Sequence, residues 1–114
     1  MNEFEYTITK DVYNNIINGK KRIEIRLYNE KSKKININDY IIFKVLDNEN
    51  LILKVNVVAL LRYKNINELL KDVDSSLVMC DYPIEQAEEL LGEIFGIDNV
   101  RSHDVIGIKF EVIK

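Results

Sequence analysis

Between Gly19 and Arg26 the chain reads Gly19-Lys20-Lys21-Arg22-Ile23-Glu24-Ile25-Arg26, a glycine turn, a lysine, a carboxylate and an arginine within eight residues. Each type has a distinct chemical use. Arg26 offers a planar fork of donors suited to a phosphate or to the edge of a base, and Lys21 a mobile point charge. Glu24 can accept from the exocyclic amine of a base, or act as a general base if burial raises its pKa. Tyr28 and Tyr40, if they flank the same cleft, can stack on an unpaired base, as single-stranded RNA is usually read. Each assignment has a plainer competitor. Glu24 and Arg26, two apart on a strand face, equally read as an exposed ion pair worth about 0 to 1 kcal/mol, and both tyrosines as packing.

Charge singles out the same segment. From Asn18 to Lys34 seven cations (Lys20, Lys21, Arg22, Arg26, Lys31, Lys33, Lys34) face two anions (Glu24, Glu30), so the segment carries 7 − 2 = +5 in a chain of net charge −3, leaving −8 elsewhere. A basic patch on an acidic body points to a directed anion-binding face, with Lys20, Arg22, Lys31, Lys33 and Lys34 as its exposed cations. A charged strand edge that prevents aggregation gives the same pattern. Other candidates are weaker. Cys80 is the single cysteine and His103 the single histidine, so neither a disulfide nor a zinc set is available. No glycine-rich phosphate loop or metal-ligand spacing appears, and neither a cofactor nor a metal is expected. Ser102 beside His103 is no triad, since adjacency in sequence does not give the geometry. Glu85, Glu88, Glu89 and Glu93 read as a solvated helix face.

The elements that must hold the basic segment follow from periodicity. Phe4 to Ile8 reads as a strand, and Thr9 can cap a helix through about Asn18, with Val12, Tyr13, Ile16 and Ile17 on its apolar side and Gly19 as its stop. From Lys21 to Tyr28 the residues alternate: Ile23, Ile25 and Leu27 one way, Arg22, Glu24, Arg26 and Tyr28 the other, a half-buried strand. Strict alternation sends Lys21 with Ile23, away from Glu24, unless the strand begins after it and the Gly19 turn redirects it. A charged loop from Asn29 to Lys34 leads to a hairpin of strands Ile35 to Leu46 and Leu51 to Tyr63. Asn65 caps a short helix carrying Ile66, Leu69 and Leu70, and a loop runs through Cys80. Pro83 suits the first turn of a helix bearing Ala87, Leu91, Ile94 and Phe95. Val105 to Ile113 closes the chain as a strand.

The segment resembles the G-x-K-x-x-[ET]-x-R motif of the ASCH (activating signal cointegrator homology) family, matched by Gly19, Lys21, Glu24 and Arg26. A second resemblance lies at Asn38-Asp39-Tyr40-Ile41-Ile42-Phe43, similar to the family's G-D-x-I-x-F strand start, with Asn38 in place of glycine. Asparagine also tolerates left-handed backbone. The order of elements fits along nearly the whole chain. The resemblance implies an α+β fold, a PUA-like small and mainly antiparallel β-barrel with flanking helices, and a cleft beside the motif. Proteins of that fold group commonly bind RNA, and some small ASCH members deacetylate N-acetylated cytidine. Those amidohydrolases carry a threonine where this chain has Glu24, and a further glutamate in a region that here reads Ser76-Leu77-Val78-Met79-Cys80-Asp81, where only Asp81 is acidic.

The resulting expectations are one domain over residues 1–114, in the cytoplasm, without a membrane span, since no apolar run approaches about 18 residues. The partner is RNA or a nucleotide-like ligand held by Lys21, Glu24, Arg26, Tyr28 and Tyr40; the alternative is an amidohydrolase using Lys21 and Glu24. Ile23, Ile25, Ile41, Phe43, Val55, Val57, Ile108 and Phe110 should share one barrel core.

Overall fold

A computed structural model describes residues 1–80 and 83–113, apart from the side chains of Glu49 and Ile84. Five strands, β1 (Glu3–Ile8), β2 (Ile23–Leu27), β3 (Tyr40–Val45), β4 (Asn48–Tyr63) and β5 (Val105–Val112), form one sheet in the order β1-β3-β4-β5-β2. β1 runs parallel to β3 and every other pairing is antiparallel. The sheet curls into a half-barrel, with β1 and β2 as its two edges. Helix α1 (Lys10–Ile17) follows β1, and α2 (Ile66–Asp72), α3 (Ser76–Met79), α4 (Ala87–Phe95) and α5 (Ile97–Ser102) lie between β4 and β5 in sequence.

Local chemistry explains several boundaries. Thr9 caps α1 by accepting the Val12 N–H at 3.3 Å, and Gly19, at φ +76°, turns the chain away from it. Asn65 caps α2 by accepting the Glu68 N–H at 2.9 Å. Asn38 does stand in left-handed backbone, at φ 77°, while the Asp39 carboxylate accepts the Asn36 and Asn2 N–H groups at 2.8 and 3.1 Å. That carboxylate ties the start of β1 to the turn before β3, and the two N–H bonds hold its pKa below the usual range. The turn explains why β3 starts at Tyr40, five residues later than Ile35. The expected loop before Cys80 contains α3, a single turn follows Pro83 before α4 begins at Ala87, and α5 carries the residues before His103. Ile17, expected on the apolar side of α1, is 51% exposed.

The principal correction concerns β2. The expected single core is two. Ile41, Phe43, Val55, Val57, Ile108 and Phe110 fill the concave side of the sheet together with Ile16 from α1. Ile23, Ile25 and Leu27 point to the opposite face, where they pack with Val105 against Ile66, Leu69, Ala87 and Leu91 of the helices. Antiparallel partners share a face, so Glu24 and Arg26, opposite Ile108 and Ile106, stand on the concave side. β2 is therefore covered on both faces, and its charged face looks inward.

Candidate functional site

A pocket of about 360 Å³ opens where the edges of the half-barrel approach one another. Thr7 from the end of β1, the cap residue Thr9 with Val12 and Asn15 from α1, and Glu24 and Arg26 from β2 line one side. Val78 and Met79 of α3 and Leu90, Leu91, Ile94 and Phe95 of α4 supply an apolar wall, whose Ile94 is 69% exposed. Mostly apolar walls with a few convergent polar groups are what small-ligand sites have in common.

Lys21, Glu24 and Arg26 form the polar floor. Gly19 makes this possible: after its left-handed turn the N–H groups of Lys20 and Lys21 both donate to the Asn15 carbonyl, at 2.9 and 3.1 Å, and β2 begins only at Ile23. Freed from strand alternation, Lys21 is 8% exposed and aims inward. Its Nζ donates to the Val78 carbonyl at 3.0 Å and stands 3.5 Å from Glu24 Oε1. Glu24 Oε1 also accepts the Ile25 N–H at 3.0 Å, and Oε2 accepts from Arg26 Nη2 at 3.3 Å. The same Arg26 nitrogen donates to the Thr7 carbonyl of β1 at 3.1 Å.

Burial by itself would raise the Glu24 pKa. The Lys21 ammonium and the Arg26 guanidinium, with the hydrogen bonds from Ile25 and Arg26, outweigh burial and hold the carboxyl below its usual range. Glu24 is thus an anion in use as an acceptor, a weak base rather than a poised one.

The remaining expected residues lie elsewhere. Tyr28 and Tyr40 are half-buried and do not line the pocket. The Tyr28 ring faces Arg62 at 4.0 Å and Lys33 at 5.7 Å, and the Tyr40 ring faces Lys54 at 4.4 Å. Lys20, Arg22, Lys31, Lys33 and Lys34 are exposed and outside the pocket lining. Lys31 donates to the Glu5 carbonyl and lies 4.0 Å from the Tyr6 ring. Asp81 lies outside the described residues. His103 is exposed, its Nδ1 3.0 Å from the Asn99 carbonyl and 3.1 Å from Ser102 Oγ. No group of three or more His, Cys, Asp or Glu that could hold a metal occurs among the described residues.

Sequence reasoning missed Tyr6. Arg26 lies 4.4 Å from the centroid of its ring, and burial raises its pKa, an effect that the Arg26 charge opposes and Glu24 reinforces. In the sequence it stood only as one residue of the strand Phe4 to Ile8. The pocket's use of main-chain carbonyls, at Val78 and Thr7, leaves no mark in side-chain types at all.

The comparisons agree with this geometry. The crystal structure of the hypothetical protein PH0355 is similar to this chain at 28% identity and TM-score 0.85, over 97% of this chain and 99% of that one. Protein PF0455 from Pyrococcus furiosus, solved by NMR, is 25% identical with TM-score 0.75 over 98% of each chain. An ASCH domain from Lactobacillus crispatus, at 15% identity, TM-score 0.61, and 97% and 79% coverage, shares the α+β, PUA-like fold. No curated protein matches the chain significantly. The profile of the ASCH domain matches residues 7–111, the span from the end of β1 into β5 that contains both motifs and the pocket, and the chain belongs to the ASCH domain family.

Proposed function

We propose that this protein binds RNA or a nucleotide-like ligand by taking one base-sized group into the pocket between β1 and β2. The observation that carries the reading is the combination of an apolar pocket of about 360 Å³ with the Lys21–Glu24–Arg26 cluster at its floor. The family is generally thought to bind RNA, which agrees with it. A basic groove running on from the cluster over Lys31, Lys33 and Lys34 would instead favour a continuous polymer track, but those side chains stand outside the pocket. In this reading they and the exposed Lys20 and Arg22 contact phosphates, and the pocket takes the base.

The test is titration with single-stranded RNA and with free nucleosides at low and moderate salt. RNA affinity should fall with a log–log slope of roughly −0.7 per phosphate contacted, and nucleoside affinity should hardly change. Absence of both at low salt would end the reading. The salt slope for RNA should also shrink in a Lys31→Ala, Lys33→Ala, Lys34→Ala triple variant.

The deacetylation implied by the resemblance finds less support in this floor. A carboxylate at position 24 has no hydroxyl to offer as a nucleophile, and Glu24 is ionised and tied to two cations. Incubation with N-acetylcytidine, followed by chromatography for cytidine, is expected to show no enzyme-like turnover. Turnover that disappears in Lys21→Ala and Glu24→Ala would reverse this conclusion.

A further inference from the structure

The floor of the pocket has more donors to offer than acceptors. Its charged residues, among the described lining, are Lys21, Glu24 and Arg26, a net 2 − 1 = +1. Each oxygen of the one carboxylate is already engaged, Oε1 by the Ile25 N–H and the Lys21 ammonium, Oε2 by Arg26 Nη2. The donors are less fully used. Arg26 Nη2 serves both Glu24 and the Thr7 carbonyl, while Arg26 Nε is buried with no hydrogen-bond partner among the described residues. A guanidinium has five N–H donors and an ammonium three, so the cluster retains unspent donors in a setting where unpaired buried groups are penalised.

A ligand oxygen entering this floor meets a positive field and two cations whose donors are not all spent. A ligand amine meets two cations and a carboxylate whose two oxygens are each already engaged. The expectation that Glu24 would accept from the exocyclic amine of a base therefore gives way to its opposite. Resting on the reading that the pocket takes a base-sized ring, we propose that it selects ligands whose inserted edge carries carbonyl or carboxylate oxygens rather than an exocyclic amine, and so takes uridine in preference to cytidine. Glu24 then acts as a positioning residue, which holds Lys21 and Arg26 beside each other despite their repulsion.

Calorimetric titration of the wild-type protein with two matched pairs tests this: uridine against cytidine, and benzoate against benzamidine, which have similar shapes and opposite hydrogen-bonding character. Uridine should bind at least about tenfold more tightly than cytidine, the discrimination of one hydrogen bond to a charged group, and benzoate should bind where benzamidine does not. In Arg26→Met, checked for folding by circular dichroism, the uridine preference should shrink to about twofold. Cytidine binding as tightly as uridine, or benzamidine more tightly than benzoate, would overturn the proposal. Binding of benzoate with neither nucleoside would support the oxygen-selective floor and reject the nucleobase reading. If none of the four binds at millimolar concentration, both fall.

Discussion

Glu24 holds the buried Lys21 and the partly buried Arg26 together, and its ionisation is therefore tied to the stability of the fold. With its pKa held below the ordinary 4.5 in the folded protein, the carboxylate contributes its full stabilisation above that value. The contribution is lost as pH falls through the depressed folded pKa. Glu24→Gln removes the negative charge while keeping the shape, leaving Lys21 and Arg26 confronting one another with little solvent. Removing one partner from a buried ion cluster costs roughly 3 to 5 kcal/mol, so chemical denaturation at pH 7 should show a loss of that order. Near pH 3 the gap between variant and wild type should narrow. A gap that stays constant from pH 7 to pH 3 would show that the effect is packing and not charge. This cluster was legible in part. The resemblance to the ASCH motif grouped Lys21, Glu24 and Arg26, where alternation alone would have sent Lys21 away from the others, and the Gly19 turn removed that geometric objection. Tyr28 and Tyr40 were chosen for their stacking potential, but in the fold their rings already face Arg62, Lys33 and Lys54. A tyrosine's neighbours across a sheet are set by register, which its own sequence neighbourhood does not contain.

At the scale of elements, alternation located β2 and separated its two faces, but placed Ile23 and Ile25 in one core with Ile41 and Phe43. The period-two pattern of Ile23, Ile25 and Leu27 against Glu24 and Arg26 reads as apolar inside and charged outside. In the fold the helices between β4 and β5 cover the apolar face, and the concave side receives the charges. Nothing in a five-residue strand reveals that a second layer packs behind it. A clue lies in β5, where Gly107 sits opposite Ile25 and Leu61. A Cβ there would come within 3.0 Å of Leu69 Cδ1 and 3.3 Å of Ile23 Cγ2, so the missing side chain is what lets α2 approach the sheet. Gly107→Ala requires the fully buried Leu69 side chain to give by a few tenths of an ångström, an overpacking cost at the low end of about 1 to 3 kcal/mol. Urea unfolding should show a lowered midpoint with an unchanged slope. A midpoint equal to that of the wild type would mean that α2 does not need the close approach.

On the scale of the whole molecule, the sheet is a ladder with two ends, and the pocket exists because those ends do not pair. Closing the barrel through backbone bonds between β1 and β2 would fill the space that the ligand is proposed to use. Instead side chains stitch the edges: Arg26 donates to the Thr7 carbonyl, Lys31 donates to the Glu5 carbonyl, and the Tyr6 ring faces both cations. The same stitches cover main-chain carbonyls on an edge strand, which otherwise invite pairing with another chain. On its other side β1 is held by its parallel ladder to β3 and by the Glu3–Lys54 and Glu5–Lys44 ion pairs, so at its open edge the side-chain stitches are what restrain it. Lys31 is the cleaner residue with which to test the stitch, because it stands outside the pocket lining and does not touch Glu24. Lys31→Met keeps most of the apolar stem and removes one hydrogen bond and one cation–π contact, together worth roughly 1 kcal/mol. Native-state hydrogen exchange should then show the β1 amides opening about fivefold faster, while the amides that join β4 to β5 keep their protection. Equal acceleration across all five strands would indicate general destabilisation, and no acceleration in β1 would show that the Lys31 stitch does not hold the edge.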